Sequence, residues 1–323
     1  MDTTSSTEPL VQTAHALETQ AALRAWPGLR AVWVRGDDRV SWLNGQLTND
    51  VRQIAPGGSV HALAVNVRGK ILAELWVADL GEALLLLLPE SVESSLLENL
   101  ERYIIMEDVT LERAPELRVV SIEGPLAQER SANVSAEGVT AIAWSPLGLG
   151  GRAFIGSAEA LAPISTTLAQ HSPSVSPEAY DLVRLRRGVP RFGIDFDEHN
   201  YPQEAGLKAL VSFKKGCYLG QEVVCTLENR GRLSRQLWKL RGSDINTLAL
   251  AAGTALHASE AATDAVGAIT SSVWDPTQRE HRLLGYVRRN HATAGAVVQA
   301  GAQSLTLIAP VGEDEVATTA PAR

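Results

Sequence analysis

The chain has 323 residues, 45% apolar and 20% charged, with a formal net charge of −8. That composition is ordinary for packed domains, and an acidic total excludes a general nucleic-acid coat, because phosphate binding needs a basic surface. Two cysteines exclude a disulfide scaffold, and the longest apolar run, Ala83–Leu88, is far short of the roughly 20 residues that cross a bilayer. With no signal-peptide pattern at the start, these features lead us to expect a soluble cytoplasmic protein of two or three domains, without membrane or nucleic-acid partners.

Residues 1–22 are rich in Thr, Ser, Glu and Gln and read as a disordered tail. Ala31–Arg35 alternates as a strand, and Asp37 or Asp38 then caps a short helix carrying Val40, Leu43 and Leu47. Val60–Val67 and Ile71–Ala78 flank an Arg68-Gly69-Lys70 turn as a hairpin, and Ala83–Leu88 follows as a buried strand. Ser91–Ile105 has helical spacing, with Ser95 and Glu98 as a capping box. Leu117–Ile122, Val139–Trp144 and Ala153–Ile155 read as strands. Helices are expected over Ala158–Gln170 and from Ser176-Pro177 to Arg187, the second ending at Gly188-Val189-Pro190.

The last third changes character. Arg235–Leu240, Thr254–Ala258, Val266–Trp274, Arg282–Arg288, Ala296–Gln299 and Ser304–Ile308 are short, evenly spaced strand candidates, which suggests a small barrel or sandwich. We therefore expect an α+β region over 23–233, a β domain over 234–311 and a loose tail over 312–323.

Charge is uneven along the chain. From Arg184 to Arg241 twelve basic residues stand against six acidic ones, so this segment is +6 and the remainder −14. A basic zone in an acidic protein focuses an anionic ligand or is simply a solvated face. The densest stretch within it is Lys214-Lys215-Gly216-Cys217-Tyr218-Leu219-Gly220-Gln221-Glu222. Neighbouring ammonium groups favour a thiolate, and flanking glycines allow close approach, so Cys217 is either a reactive thiol or a small buried residue in a tight turn. Cys225 lies eight residues on, in Glu222–Leu227, which reads as a strand; the spacing fits no standard zinc site, and no metal is expected. Glu204, after Pro202-Gln203 and before Ala205-Gly206, is a carboxylate suited to two hydrogen bonds from a planar ring edge, such as a pterin's, or else a capping or surface residue. His199, beside Asp197 and Glu198, reads as a surface residue. No dinucleotide fingerprint, phosphate loop or nucleophile elbow is present.

Lys215-Gly216-Cys217-Tyr218-Leu219-Gly220-Gln221-Glu222 resembles the Lys-Gly-Cys-Tyr-x-Gly-Gln-Glu motif of the YgfZ family. These are folate-binding relatives of the glycine-cleavage T-protein, implicated in iron–sulfur cluster assembly or repair. Asn44-Gly45-Gln46-Leu47-Thr48-Asn49-Asp50-Val51 resembles an early block of the same family, and Gly188-Val189-Pro190, Pro202–Leu207 and Arg230-Gly231 follow in matching order. The resemblance implies two α+β lobes enclosing a folate-sized opening, followed by a six-stranded barrel. It implies a tetrahydrofolate-type cofactor and iron–sulfur client or assembly proteins as partners. It assigns Cys217 and Lys215 as the working motif and Glu204 as the carboxylate on the pterin, with Asn49, Tyr218, Gln221 and Phe192, the last in place of the T-protein's Tyr, as further cofactor contacts; the family's basic pair is absent at Cys225–Glu228, which leaves Lys208, Arg230 or Arg232 for an anionic folate tail. Where the T-protein has two aspartates after its Gly-Gly turn, this chain has Ala73-Glu74, which argues against aminomethyl transfer. A tetrahydrofolate-dependent aminomethyltransferase is the alternative reading.

Overall fold

The computed structural model describes residues 4–55, 57–243 and 250–313, without the side chains of 4–7 and Arg230. The chain divides into two compact units. The first comprises Met1–Val183, Asp197–His199 and Leu210–Cys225; the second comprises Arg184–Phe196, Asn200–Ala209 and Thr226–Arg323. In this division residues 184–196 and 200–209 group with the later residues, from 226 on.

The first unit holds two antiparallel sheets. One has five strands in the order Ser59–Val65, Ile71–Asp79, Leu84–Pro89, Leu29–Arg35, Thr110–Arg113. The other has four, in the order Ala22–Ala25, Arg118–Glu123, Gly151–Gly156, Thr140–Ala143. The leucine run explains the layering. Leu84, Leu86 and Leu88 point to a core with helices Arg39–Gln46 and Glu93–Glu101, through Leu43, Leu96 and Leu100. Leu85 and Leu87 point the other way, to Val119, Ile142 and Ile155 of the four-stranded sheet. A strand buried on both faces needs no polar alternation. Helix Ala158–Ala169, capped by Ser157, covers the outer face of the four-stranded sheet through Leu161, Ile164 and Leu168.

In the second unit six strands close an antiparallel barrel in the order Arg235–Gly242, Glu280–Arg288, Ala265–Asp275, Ala255–His257, Val297–Ala300, Gln303–Pro310. Each overlaps a strand expected from the sequence, and closure decides between barrel and sandwich. Register shifts at Lys239/Leu240, Leu256/His257 and Ile269/Ser271 supply the bends that closure needs. Arg184 Nη1 donates to Asp195 Oδ2 at 2.6 Å, and Asp195 Oδ1 accepts from Thr270 and Ser271 of the barrel.

Several expectations are corrected. Thr4–Thr19 is a helix rather than a disordered tail: Ala14 and Leu17 recur at helical spacing and are fully buried. Glu222–Leu227 is not a strand but part of helix Gln221–Arg230; the β-branched pair Val223-Val224 mimicked a strand signal. The helix expected over Ser91–Ile105 is confined to Glu93–Glu101 after a 3₁₀ turn, and Ser95 Oγ donates back to the Val92 carbonyl instead of capping. Asp38 precedes its helix, but its carboxylate accepts from the Asp108 amide. Most of the expected tail, from residue 314, lies outside the described residues. Among those residues no helix is long and apolar enough to cross a membrane.

Candidate functional site

The motif residues gather around one ammonium group in the first unit. Helix Arg39–Gln46 ends and the chain bends through Leu47–Val51, so that a carbonyl near the helix end and two from the bend converge. Lys215 Nζ fills that convergence, donating to the carbonyls of Asn44 at 2.6 Å, Leu47 at 2.7 Å and Asn49 at 2.7 Å. All three ammonium hydrogens are used, and the residue is only 7% exposed. Burial lowers the Lys215 pKa from its ordinary 10.5 to about 8, with the Asp50 carboxylate pulling the other way. Thr48 completes the junction. Its hydroxyl donates to the Leu210 carbonyl at 2.7 Å and accepts from the Leu63 amide at 3.0 Å, while its own carbonyl accepts from the Ser212 amide. The two blocks that carry the family resemblance are therefore one physical unit.

The segment after Lys215 is held at a second point, where the Leu219 amide donates to the Gly45 carbonyl at 3.0 Å. Gly220 has φ 77°, and a Cβ there would collide with the Asn66 carbonyl of the hairpin turn, so only glycine fits. Between the two fastenings Gly216 and Cys217 are exposed. Cys225 is half-buried on helix Gln221–Arg230. The structure thus removes the buried-residue reading of Cys217. It also revises the role of Lys215, whose donors go to backbone carbonyls.

Tyr218 is buried, with its ring 5.3 Å from Lys215 Nζ, and its hydroxyl has no hydrogen-bond partner among the described residues. Burial pushes the phenol pKa up, and Cys225 adds to the effect. Gln221 opens the motif helix and is half-buried. Asn49 is committed to the backbone: its side-chain nitrogen donates to the His61 carbonyl at 2.9 Å and its oxygen accepts from the Asp50 amide at 3.0 Å.

The strand Ile71–Asp79 settles the direction of Ala73 and Glu74. Ala73 is fully buried in the apolar core, whereas Glu74 points to the other face and pairs with His61 at 2.8 Å. His61 stacks on Trp76 at 4.3 Å, Trp76 touches Trp144, and Trp144 meets Trp26. Behind this ladder lies Glu123, 1% exposed, which accepts from Ser121 Oγ at 2.8 Å and from Tyr180 Oη at 3.2 Å. Burial raises the Glu123 pKa to about 7, against the opposing pull of Ser121 and Arg24.

The second unit holds the remaining sequence candidates. Glu204 is 6% exposed; its Oε2 accepts from the Tyr201 amide at 3.1 Å and its Oε1 lies 3.6 Å from Arg235 Nε. The Leu237 amide donates to the Glu204 carbonyl at 2.8 Å, fixing the backbone of this loop to the barrel. Phe192 is half-buried and packs edge-on against Phe196, with centroids 5.6 Å apart. Lys208 is exposed and pairs with Glu228 at 2.6 Å. Arg230 ends the motif helix, and its side chain lies outside the described residues. His199 is exposed, as expected. Among the described residues no three His, Cys, Asp or Glu side chains are placed to hold a metal ion.

Sequence reasoning missed Arg235, which meets Glu204 from a strand 31 positions on. It also missed Glu123, whose partners Ser121, Tyr180 and Arg24 are scattered along the chain. The carbonyls that bind Lys215 have no residue-type signal at all.

Comparison with known proteins places these features in a class. A family model described as the GCVT N-terminal domain matches residues 3–145. The crystal structure of the glycine cleavage system aminomethyltransferase T from Bartonella henselae superposes with a TM-score of 0.80 at 19% identity, covering 92% of this chain and 88% of that one. The fold is therefore of the T-protein type.

Two similar curated proteins share a name. The tRNA-modifying protein YgfZ of Yersinia enterocolitica is 26% identical over 249 residues, 73% of this chain and 74% of that protein. Its namesake from Escherichia coli O7:K1 is 28% identical over 224 residues, 65% and 68% of the two chains. This chain is similar to the YgfZ proteins and has a T-protein-type fold.

Proposed function

We propose that this chain is a tetrahydrofolate-binding accessory protein that supports iron–sulfur cluster assembly or repair, with Cys217 as its working thiol. One observation carries the reading: Lys215 fastens the motif to the Asn44–Asn49 block through three carbonyls and leaves Cys217 exposed beside the fastening. Lys215 is then a positioning residue and Cys217 the group that meets a client. The relatives are named for tRNA modification, and we extend that process to this chain. At a net charge of −8 its place is beside a modifying enzyme rather than along the RNA.

The residues fit a folate in part. A pterin edge presents adjacent N–H donors, and Glu204 offers a buried carboxylate oriented by the Tyr201 amide and Arg235. Phe192 offers an aromatic face. Asn49 and Lys208 fit less well, since the first is spent on the backbone and the second on Glu228. Calorimetric titration with tetrahydrofolate tests the assignment. Glu204→Ala should lose about 1.5–3 kcal/mol, or roughly 10- to 100-fold in affinity. Unchanged affinity removes Glu204 from the site. Cys217→Ser should keep folate binding and lose support of iron–sulfur enzymes in cells.

Glu74 supports the aminomethyltransferase alternative. Its carboxylate lies on the opposite face of the strand from Ala73, beside His61. Turnover of an aminomethylated lipoyl carrier, abolished in Glu74→Gln, would establish that activity; no turnover leaves the accessory role.

A further inference from the structure

The second unit contains a cavity that shares only Lys208 with the folate contacts named above. Its volume is ≈ 170 Å³, and its lining includes Lys208, Glu228, Gly231, Gln236, Gly312 and Glu313. The floor is a close crossing of two backbones. Gly206 and Gly312, at φ 74° and 82°, lie so near that a Cβ on Gly312 would strike the Gly206 carbonyl, and one on Gly206 would strike that of Val311. No side chain can grow from these positions to fill the space.

Its electrostatics favour a cation. Glu228 Oε1 is paired with Lys208 Nζ at 2.6 Å, whereas Glu228 Oε2 is buried and accepts no hydrogen bond among the described residues. Leaving a buried carboxylate oxygen without a donor is costly, and a donor entering the cavity relieves that cost. Glu228 and Glu313 outnumber Lys208, so the charged lining is net negative. Glu228 lies in the last turn of helix Gln221–Arg230 and Gly231 directly follows it, where the helix dipole adds negative potential. An anion is repelled here, and an apolar ligand leaves Oε2 unsatisfied.

We infer that this cavity binds a primary ammonium or guanidinium group on a short aliphatic stem. A cavity of about 150 Å³ accepts benzene, so this one has room for roughly six or seven heavy atoms. That suits a free alkylamine or the end of a basic side chain from a partner protein. The inference stands apart from the folate reading, because Glu228 has no part in it.

Titration of the full chain, followed by the amide shifts of Gly231 and Gly312, tests the inference. The probes are butylamine, N-acetyl-lysine N-methylamide and, as the neutral control, 1-butanol. Saturable binding of at least one amine, about 10-fold or more tighter than 1-butanol, is expected. Glu228→Gln should weaken it about 10- to 100-fold while leaving the weak 1-butanol response unchanged. Binding of butylamine alone assigns a free amine; binding of the blocked lysine assigns a partner's side chain. No saturable shift with either amine, equal binding of 1-butanol, or unchanged binding in Glu228→Gln overturns the inference. Should Glu228→Gln fail to fold, Glu228→Asp replaces it, with the same loss expected.

Discussion

The two units bury a cation by opposite means. In the first, the Lys215 ammonium is held by three neutral carbonyls and hydrogen-bonds to no carboxylate among the described residues. In the second, the Arg184 guanidinium meets the Asp195 carboxylate, which also accepts from Thr270, Ser271 and the Arg191 amide. Neutral acceptors direct an ammonium but do not cancel its charge, so burial draws the Lys215 pKa down to about 8. A paired and fully hydrogen-bonded charge suits a permanent joint between a loop and a barrel. A charge held by carbonyls suits the fastening of a short loop whose purpose is to present a neighbouring residue.

Substitutions in the two places should separate these roles. Arg184→Met leaves Asp195 buried without its counter-charge and should cost about 3–5 kcal/mol in urea unfolding. A loss below about 1 kcal/mol would mean that the hydroxyls and amide around Asp195 suffice. Next in size is the response of Glu123, which is buried without a full counter-charge. Its folded pKa is raised from 4.5 to about 7, so the folded state keeps a proton that the unfolded chain has released. The stability this supplies is complete below about pH 4.5 and is lost as pH rises through 7, by about 3 kcal/mol. Thermal melts of the wild type and Glu123→Gln should therefore diverge between pH 5 and pH 8, with the wild type losing ground. Parallel curves would show that Glu123 ionises as an ordinary carboxylate.

Lys215→Met should cost about 2–3 kcal/mol, because three inward carbonyls lose their donor. The signature is local: hydrogen exchange should speed up at the Ser212 and Leu219 amides, which span the same junction, while barrel amides keep their protection. The pH response has a definite sign. Between about 8 and 10.5 the unfolded chain holds the Lys215 proton and the folded chain does not, so wild-type stability should rise relative to Lys215→Met across that window. A fall would show that the carbonyls hold the ammonium more tightly than burial expels it.

Much of the fold was legible because one physical signal dominated each element. The barrel strands alternate between glycine- and asparagine-rich turns, and Leu84–Leu88 can only be a strand buried on both faces. Helix Gln221–Arg230 was misread because Val223, Val224 and Thr226 are β-branched, and tertiary packing overrode that local preference: Val223 and Val224 pack beside Gly69 of the hairpin turn. The amino-terminal helix was hidden by polar composition, although Ala14 and Leu17 have the right spacing. Residue types marked Cys217 and Lys215 in the first unit and Glu204 in the second, but the partners of each were invisible. Nothing in Asn44, Leu47 or Asn49 as side chains announces that their carbonyls receive Lys215.

The central claim is that the fastened motif presents Cys217 and withholds Cys225. Alkylation of the native protein, followed residue by residue with mass spectrometry, measures this directly. Cys217 should be modified first, by about tenfold or more, since it is exposed and Cys225 is half-buried on a helix. If Cys225 reacts first, or neither reacts until the protein unfolds, the thiol is not presented and the proposed role of the motif is wrong.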